Sequence, residues 1–173
     1  SSMAGDPGHR IEPIHYRGDA RAAFVQLQET LARRSDAKLV DAQCGLESMG
    51  GALIAALAGV GPRDIDVFEL HDAFSIMAVL SLEACGFAEK GQGIRLGLDN
   101  EIGPTGRIPI CTRGGLKARG HPVGATGMYQ IVEVVQQLRG ECEGTQVEGA
   151  TIGMAQNIGG SGSNIITHIL GKF

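Results

Sequence analysis

His121 stands inside the run Gly114-Gly115-Leu116-Lys117-Ala118-Arg119-Gly120-His121-Pro122-Val123-Gly124-Ala125-Thr126-Gly127. The imidazole is placed at the entry of a segment that reads as a helix. Pro122 suits a first helical position, where its missing N–H costs nothing. The positive end of a helix disfavours a protonated ring, so these residue types point to a neutral histidine that can take or give a proton. Gly120, Gly124 and Gly127 would let backbone or a ligand come close. The plainer alternative is a Gly/Pro-rich turn that happens to hold a histidine.

Two further stretches carry the argument beyond that alternative: Asp64-Ile65-Asp66-Val67-Phe68-Glu69-Leu70-His71-Asp72-Ala73-Phe74, and Asn157-Ile158-Gly159-Gly160-Ser161-Gly162. In this order the three stretches resemble the C-terminal half of a thiolase. The subgroup resembled is the sterol-carrier-protein and archaeal type, which has His-Asp-Ala/Cys-Phe where other thiolases have Asn-Glu-Ala-Phe. The resemblance runs from about Leu46 to Lys172, and its most specific part is Gly-Gly-x4-Gly-His-Pro-x-Gly-x-x-Gly.

The resemblance implies Claisen condensation or thiolysis of acyl-CoA thioesters. That chemistry needs a nucleophilic thiol, a base to activate it and donors for the thioester oxygen as it becomes negative. It implies that His121 is the base toward the cysteine and helps bind a thioester oxygen. His71 would complete the oxyanion hole, directly or through a water, and Asn157, Gly159 and Gly160 would form a loop lining the site. Coenzyme A is then a co-substrate, with no permanently bound cofactor and no metal. The implied fold is one thiolase-like α/β half, a mixed buried sheet with helices on its faces.

Each residue also has a plainer alternative. His71 could be a junction histidine satisfied by backbone, and residues 157–163 a simple hairpin loop. Asp72 reads as a helix start rather than an acid catalyst. Arg113, Lys117 and Arg119 could meet coenzyme A phosphates, yet basic side chains in a loop are usually solvated, and that is the expectation here.

Two positions depart from the family pattern. Many thiolases carry a second cysteine in a Cys-x-Gly loop near the C-terminus, where this chain has Gln156-Asn157. Cys111 stands where the family usually has Asn ahead of the Gly-Gly pair. The nucleophile belongs to the N-terminal half of the family and is expected from a missing N-terminal half or a second chain. Cys44, in Asp41-Ala42-Gln43-Cys44-Gly45-Leu46, is better read as an ordinary buried or loop thiol. Two rival functions remain: a thiolase-fold retro-aldolase acting on acyl-CoA in steroid side-chain breakdown, and a non-catalytic scaffold subunit. Expected partners are an acyl-CoA substrate and either a second copy or an N-terminal thiolase half.

Composition narrows the class. The chain has 173 residues, enough for one domain with a real core. A net charge of −4, no Trp and 4% aromatics leave neither a phosphate-binding stripe nor a base-stacking platform, so nucleic acid is not an expected partner. Cys44, Cys85, Cys111 and Cys142 lie far apart, without the spacing of a zinc site. They read as reduced thiols of a cytoplasmic protein, and no apolar run has the length of a membrane span.

The elements that must hold these residues follow from pattern. Residues 1–18 read as an expression scar at Ser1–Gly5 followed by an arm, and residues 19–173 as the thiolase-like domain. Helices are expected over Ala20–Arg34, Leu46–Leu57, Asp72 to about Gly86, and Gly124–Leu138. Strands are expected over Lys38–Ala42, Ile65–Leu70, Ile108–Cys111, Gly149–Met154 and Asn164–Leu170. Ile94–Arg107, rich in Gly, Asp, Asn and Pro, reads as loop.

Overall fold

The computed structural model describes residues 59–160, 162 and 164–172, together with the backbone of residues 14–15 and 40–44. The expected helices over residues 20–34 and 46–57 lie outside the described residues. Among the described residues the strands are β1 (Ile14–His15), β2 (Val40–Cys44), β3 (Val67–Glu69), β4 (Ile152–Gly159) and β5 (Asn164–Gly171). The helices are α1 (Ser75–Ala84), α2 (Gly93–Leu98), α3 (Gly115–Arg119) and α4 (Thr126–Arg139). No described helix is long and apolar enough to cross a membrane.

The strands form one mixed sheet in the order β1-β2-β5-β4-β3. β4 pairs antiparallel with β5 along its whole length and parallel with β3, while β5 pairs antiparallel with β2. Alternation along β3 sends its side chains to two cores. Phe68 joins Leu70, Leu82, Phe87 and Met154 on one face. Val67 joins Val134, Leu138, Val147 and Ala155 on the other, beneath α4. Burial on both faces explains the unbroken apolar run before His71.

Three expected elements are corrected. The segment read as loop over Ile94–Arg107 contains α2. The N–H of Gly93 donates to Glu83 Oε1 of α1 at 2.9 Å, and Leu96 is buried, so docking on α1 outweighs weak propensity. Ile108–Cys111 forms a single parallel bridge between Ile110 and Phe68 rather than a strand. Cys111 adopts φ +43°, which turns the chain out of the extended region after that bridge. The strand expected over Gly149–Met154 begins later and runs to Gly159, so Asn157 and Gly159 are strand residues rather than loop. Asp66 sets its start by accepting the N–H groups of Thr151 at 2.7 Å and Ile152 at 2.9 Å.

α4 lies close on β4 because Gly153 has no side chain. A Cβ there would run into Val134 of α4 and come within 3.1 Å of Val67. Gly153→Ala should therefore push α4 off the sheet and lower stability by about 1–3 kcal/mol, the usual cost of overpacking. Urea unfolding monitored by circular dichroism measures it; an unchanged midpoint would show that α4 can shift freely.

Candidate active site

β3 ends at Glu69, and two residues later His71 is 5% exposed. Its ring meets that of His121 edge to face, with centroids 5.0 Å apart. Burial is the largest influence on His71; it disfavours the imidazolium, and the neighbouring His121 acts in the same direction. Asp72 opposes both, and the net effect lowers the His71 pKa below its usual 6.5. His71 Nδ1 is buried and has no hydrogen-bond partner among the described residues.

His121 is exposed and is oriented from behind. Its Nδ1 lies 2.6 Å from Thr126 Oγ1, and the Thr126 hydroxyl donates to the Pro122 carbonyl at 3.1 Å. A hydroxyl has one proton to give. With that proton on Pro122, Thr126 must accept from His121 Nδ1–H, which leaves Nε2 with its lone pair. The Pro122 carbonyl also accepts the N–H of Thr126 at 3.0 Å. The turn that carries His121 thus runs straight into α4.

Asp72 has a use that sequence alone did not show. The helix after it begins at Ser75 behind Phe74, and the Asp72 carboxylate does not cap that helix. It instead accepts the N–H of Leu116 at 2.8 Å, from α3. Gly115 makes room: a Cβ there would collide with the Asp72 carboxylate, and its φ of +58° also disfavours a side chain. This bond joins the two histidine-bearing segments, 44 residues apart in sequence.

Both histidines line a cavity of about 670 Å³, together with Phe74, Val123, Asn157, Gly159 and Gly160. The five residues singled out from sequence therefore meet in one place. The Asn157 side chain is occupied, donating to Gln130 Oε1 of α4 at 3.1 Å. Gly127 allows this approach, since a Cβ there would sit 3.2 Å from Asn157 Nδ2. Gly120 serves differently, through its φ of +86°, and Gly124 faces open space. Among the described residues no group of three or more His, Cys, Asp and Glu side chains could hold a metal ion.

Comparison with known proteins settles the kinship. The family model for the thiolase C-terminal domain-like family matches residues 28–172. This chain belongs to that family. The match begins well before Leu46, where the sequence resemblance began. The chain is 53% identical over 116 residues to an acetyl-CoA acetyltransferase of Methanothermobacter thermautotrophicus, covering 67% of this chain and 30% of the relative. It is 45% identical to sterol carrier protein 2 of Rattus norvegicus, covering 64% of this chain and 20% of the relative. A solved chain of the Ltp2-ChsH2(DUF35) aldolase superposes with a TM-score of 0.62 at 27% identity, covering 74% of this chain and 33% of that one. The chain thus spans about a third or less of the length of these relatives.

One expectation about the basic residues is overturned. Arg119 is not a solvated loop residue: its side chain is 16% exposed, and its guanidinium lies 3.8 Å from the carboxylate of fully buried Glu69. Lys117 and Arg113 are exposed. Lys117 donates to Ser75 Oγ, and Arg113 donates to Gln136 and pairs with Glu133. The signal that could have found Arg119 is spacing, since Glu69 precedes His71 by two residues as Arg119 precedes His121.

Burial raises the Glu69 pKa to about 8; the charges of Glu133 and Asp72 add to this, and Arg119 works against it. The Thr112 backbone also opposes the shift, though neither Glu69 oxygen closes a hydrogen bond among the described residues. Cys111 lies on the same side, its thiol donating to the Leu70 carbonyl at 3.5 Å, and burial pushes its pKa well up.

Between pH 4.5 and about 8 the folded chain keeps the Glu69 proton that the unfolded chain has lost. Folded binds more protons than unfolded, so this residue makes stability fall as pH rises through that window. Urea unfolding should show wild type losing on the order of 2–4 kcal/mol more than Glu69→Gln from pH 5 to pH 8. Parallel losses in the two proteins would mean that Glu69 titrates normally.

Proposed function

We propose that this chain is the C-terminal catalytic half of a thiolase-like acyltransferase acting on acyl-CoA thioesters. The observation that carries the reading is the meeting of His71 and His121 at one cavity, with Nε2 of His121 free to accept a proton. His121 takes the proton of a nucleophilic cysteine supplied by an N-terminal thiolase half or a second chain. The thiolate attacks the thioester carbon, and negative charge builds on the carbonyl oxygen. His71, kept neutral by burial, donates to that oxygen, directly or across a water, and the backbone around Asn157, Gly159 and Gly160 closes the site. The carbonyl reforms as its C–S bond to coenzyme A breaks, coenzyme A leaves with the proton that His121 took, and the acyl group on the cysteine passes to the next acceptor. No permanently bound cofactor enters this scheme, and the protein would work in the cytoplasm.

Phe74, Val123 and Met128 are 69%, 83% and 62% exposed, and the first two line the cavity. Apolar surface of this kind beside a site favours a covering partner, either a second copy or the N-terminal half.

A second reading is a thiolase-fold aldolase that cleaves a carbon–carbon bond of an acyl-CoA without a covalent cysteine. The structural neighbour favours it, being an aldolase that includes a DUF35 component. On this reading the covering partner would be a DUF35-type chain.

The isolated chain should not cleave acetoacetyl-CoA, and turnover abolished by changing Cys44 would overturn the assignment of the nucleophile. In the complete enzyme, His71→Ala and His121→Ala should each lower kcat by roughly 10²–10³-fold, the loss typical of one oxyanion donor, with less change in KM. Retro-aldol turnover that survives thiol alkylation would replace the first reading with the second.

A further inference from the structure

We propose that Glu69 and Arg119 are a positioning pair that sets the spacing between the two site histidines. The pair sits directly behind them. Each member of the pair precedes its histidine by two positions on a different segment, so 69 faces 119 as 71 faces 121. The spacers are short and constrained: Leu70 is fully buried, and Gly120 is held at φ +86°. A two-residue spacer of this kind transmits the approach of one pair to the other. On the far side of His71, Asp72 holds Leu116 of the same α3 segment, so that segment is gripped both before and after the histidine.

The contact is loose where a structural ion pair would be tight. At 3.8 Å it is longer than a hydrogen bond. Both Glu69 oxygens and the Arg119 Nε, Nη1 and Nη2 are buried without a hydrogen-bond partner among the described residues. The Arg119 guanidinium also stacks over Tyr129 of α4, 5.4 Å from the ring centre. Uncompensated groups of this kind cost stability, so burying them needs a reason other than holding the fold.

Among the described residues, titratable groups act on Glu69 from several packed segments. Arg119 comes from α3, Glu133 from α4 (itself paired with Arg113), Asp72 from the segment after β3, the Cys111 thiol from the chain beside that strand, and the Cys142 thiol from the chain after α4. Among the described residues Arg119 is the cation that acts on Glu69, and the acids Glu133 and Asp72 oppose ionisation of Glu69. A change in the charge of Glu69 therefore alters its attraction to Arg119, together with the larger repulsion from Glu133.

The inference takes from the proposed function only that the two imidazoles serve one point. Its test reads their spacing without activity, so either idea can fail alone. In the isotopically labelled full chain, the ring-to-ring NOE between His71 and His121 should weaken severalfold in Arg119→Met. It should stay near wild type in Arg119→Lys, which keeps a point charge beside Glu69. Val134→Ala, a core truncation under α4, should lower Tm and leave the cross-peak in place. A retained cross-peak in folded Arg119→Met, loss in Arg119→Lys, or equal loss in Val134→Ala would overturn the proposal. If Arg119→Met does not fold, a pH series decides. The wild-type cross-peak should change across a step near pH 8, where Glu69 ionises, and Glu69→Gln should abolish the step. Absence of that step in wild type, or its persistence in Glu69→Gln, would overturn the proposal equally.

Discussion

One hydrogen bond, from the Leu116 N–H to the buried Asp72 carboxylate, holds the candidate site together. It is charge-assisted and sheltered from water, the setting in which such bonds are strongest. Without it the short α3 helix would keep only the looser Arg119–Glu69 contact to β3, and His121 would be held less firmly against His71. Gly115 belongs to the same device, because any larger residue would fill the space the carboxylate uses. The acid of His-Asp-Ala-Phe and the second glycine of the Gly-Gly pair are two halves of one contact. Neither needs to touch substrate to be indispensable.

The sheet provides the rigidity that this bond exploits. β4 is paired on both edges, and β3 lies between β4 and the bridge at Ile110. His71 therefore leaves a strand fixed on both sides. On the other side of the cavity, Thr126 locks the His121 ring from the first residue of α4, and Gly153 and Gly127 let that helix lie close on β4. The two imidazoles are held from opposite directions, and the cavity is the space between those supports.

Much of this was readable from residue order. The strand before His71, the helix after the glycine run and the final β4–β5 hairpin follow from apolar runs and glycine stops. What failed has a common cause in tertiary contacts. α2 has weak helix formers and exists because Glu83 holds its first N–H and Leu96 is buried. β4 runs on through glycines because β5 pairs with every residue up to Gly159. Arg119 looked like a solvated loop residue because nothing local announces the buried carboxylate 50 positions earlier. Thr126 was passed over because an isolated threonine has no pattern. Its importance comes from where its single proton goes.

The three cysteines whose side chains are described share a property with a practical side. Cys85 and Cys142 are buried, Cys111 is half-buried, and burial raises the pKa of both Cys111 and Cys142. A thiol held in its protonated form is a poor nucleophile. These three positions are thus a quiet chemical background. A fast-reacting sulfur found in the assembled protein by electrophile labelling would be attributable to a cysteine elsewhere.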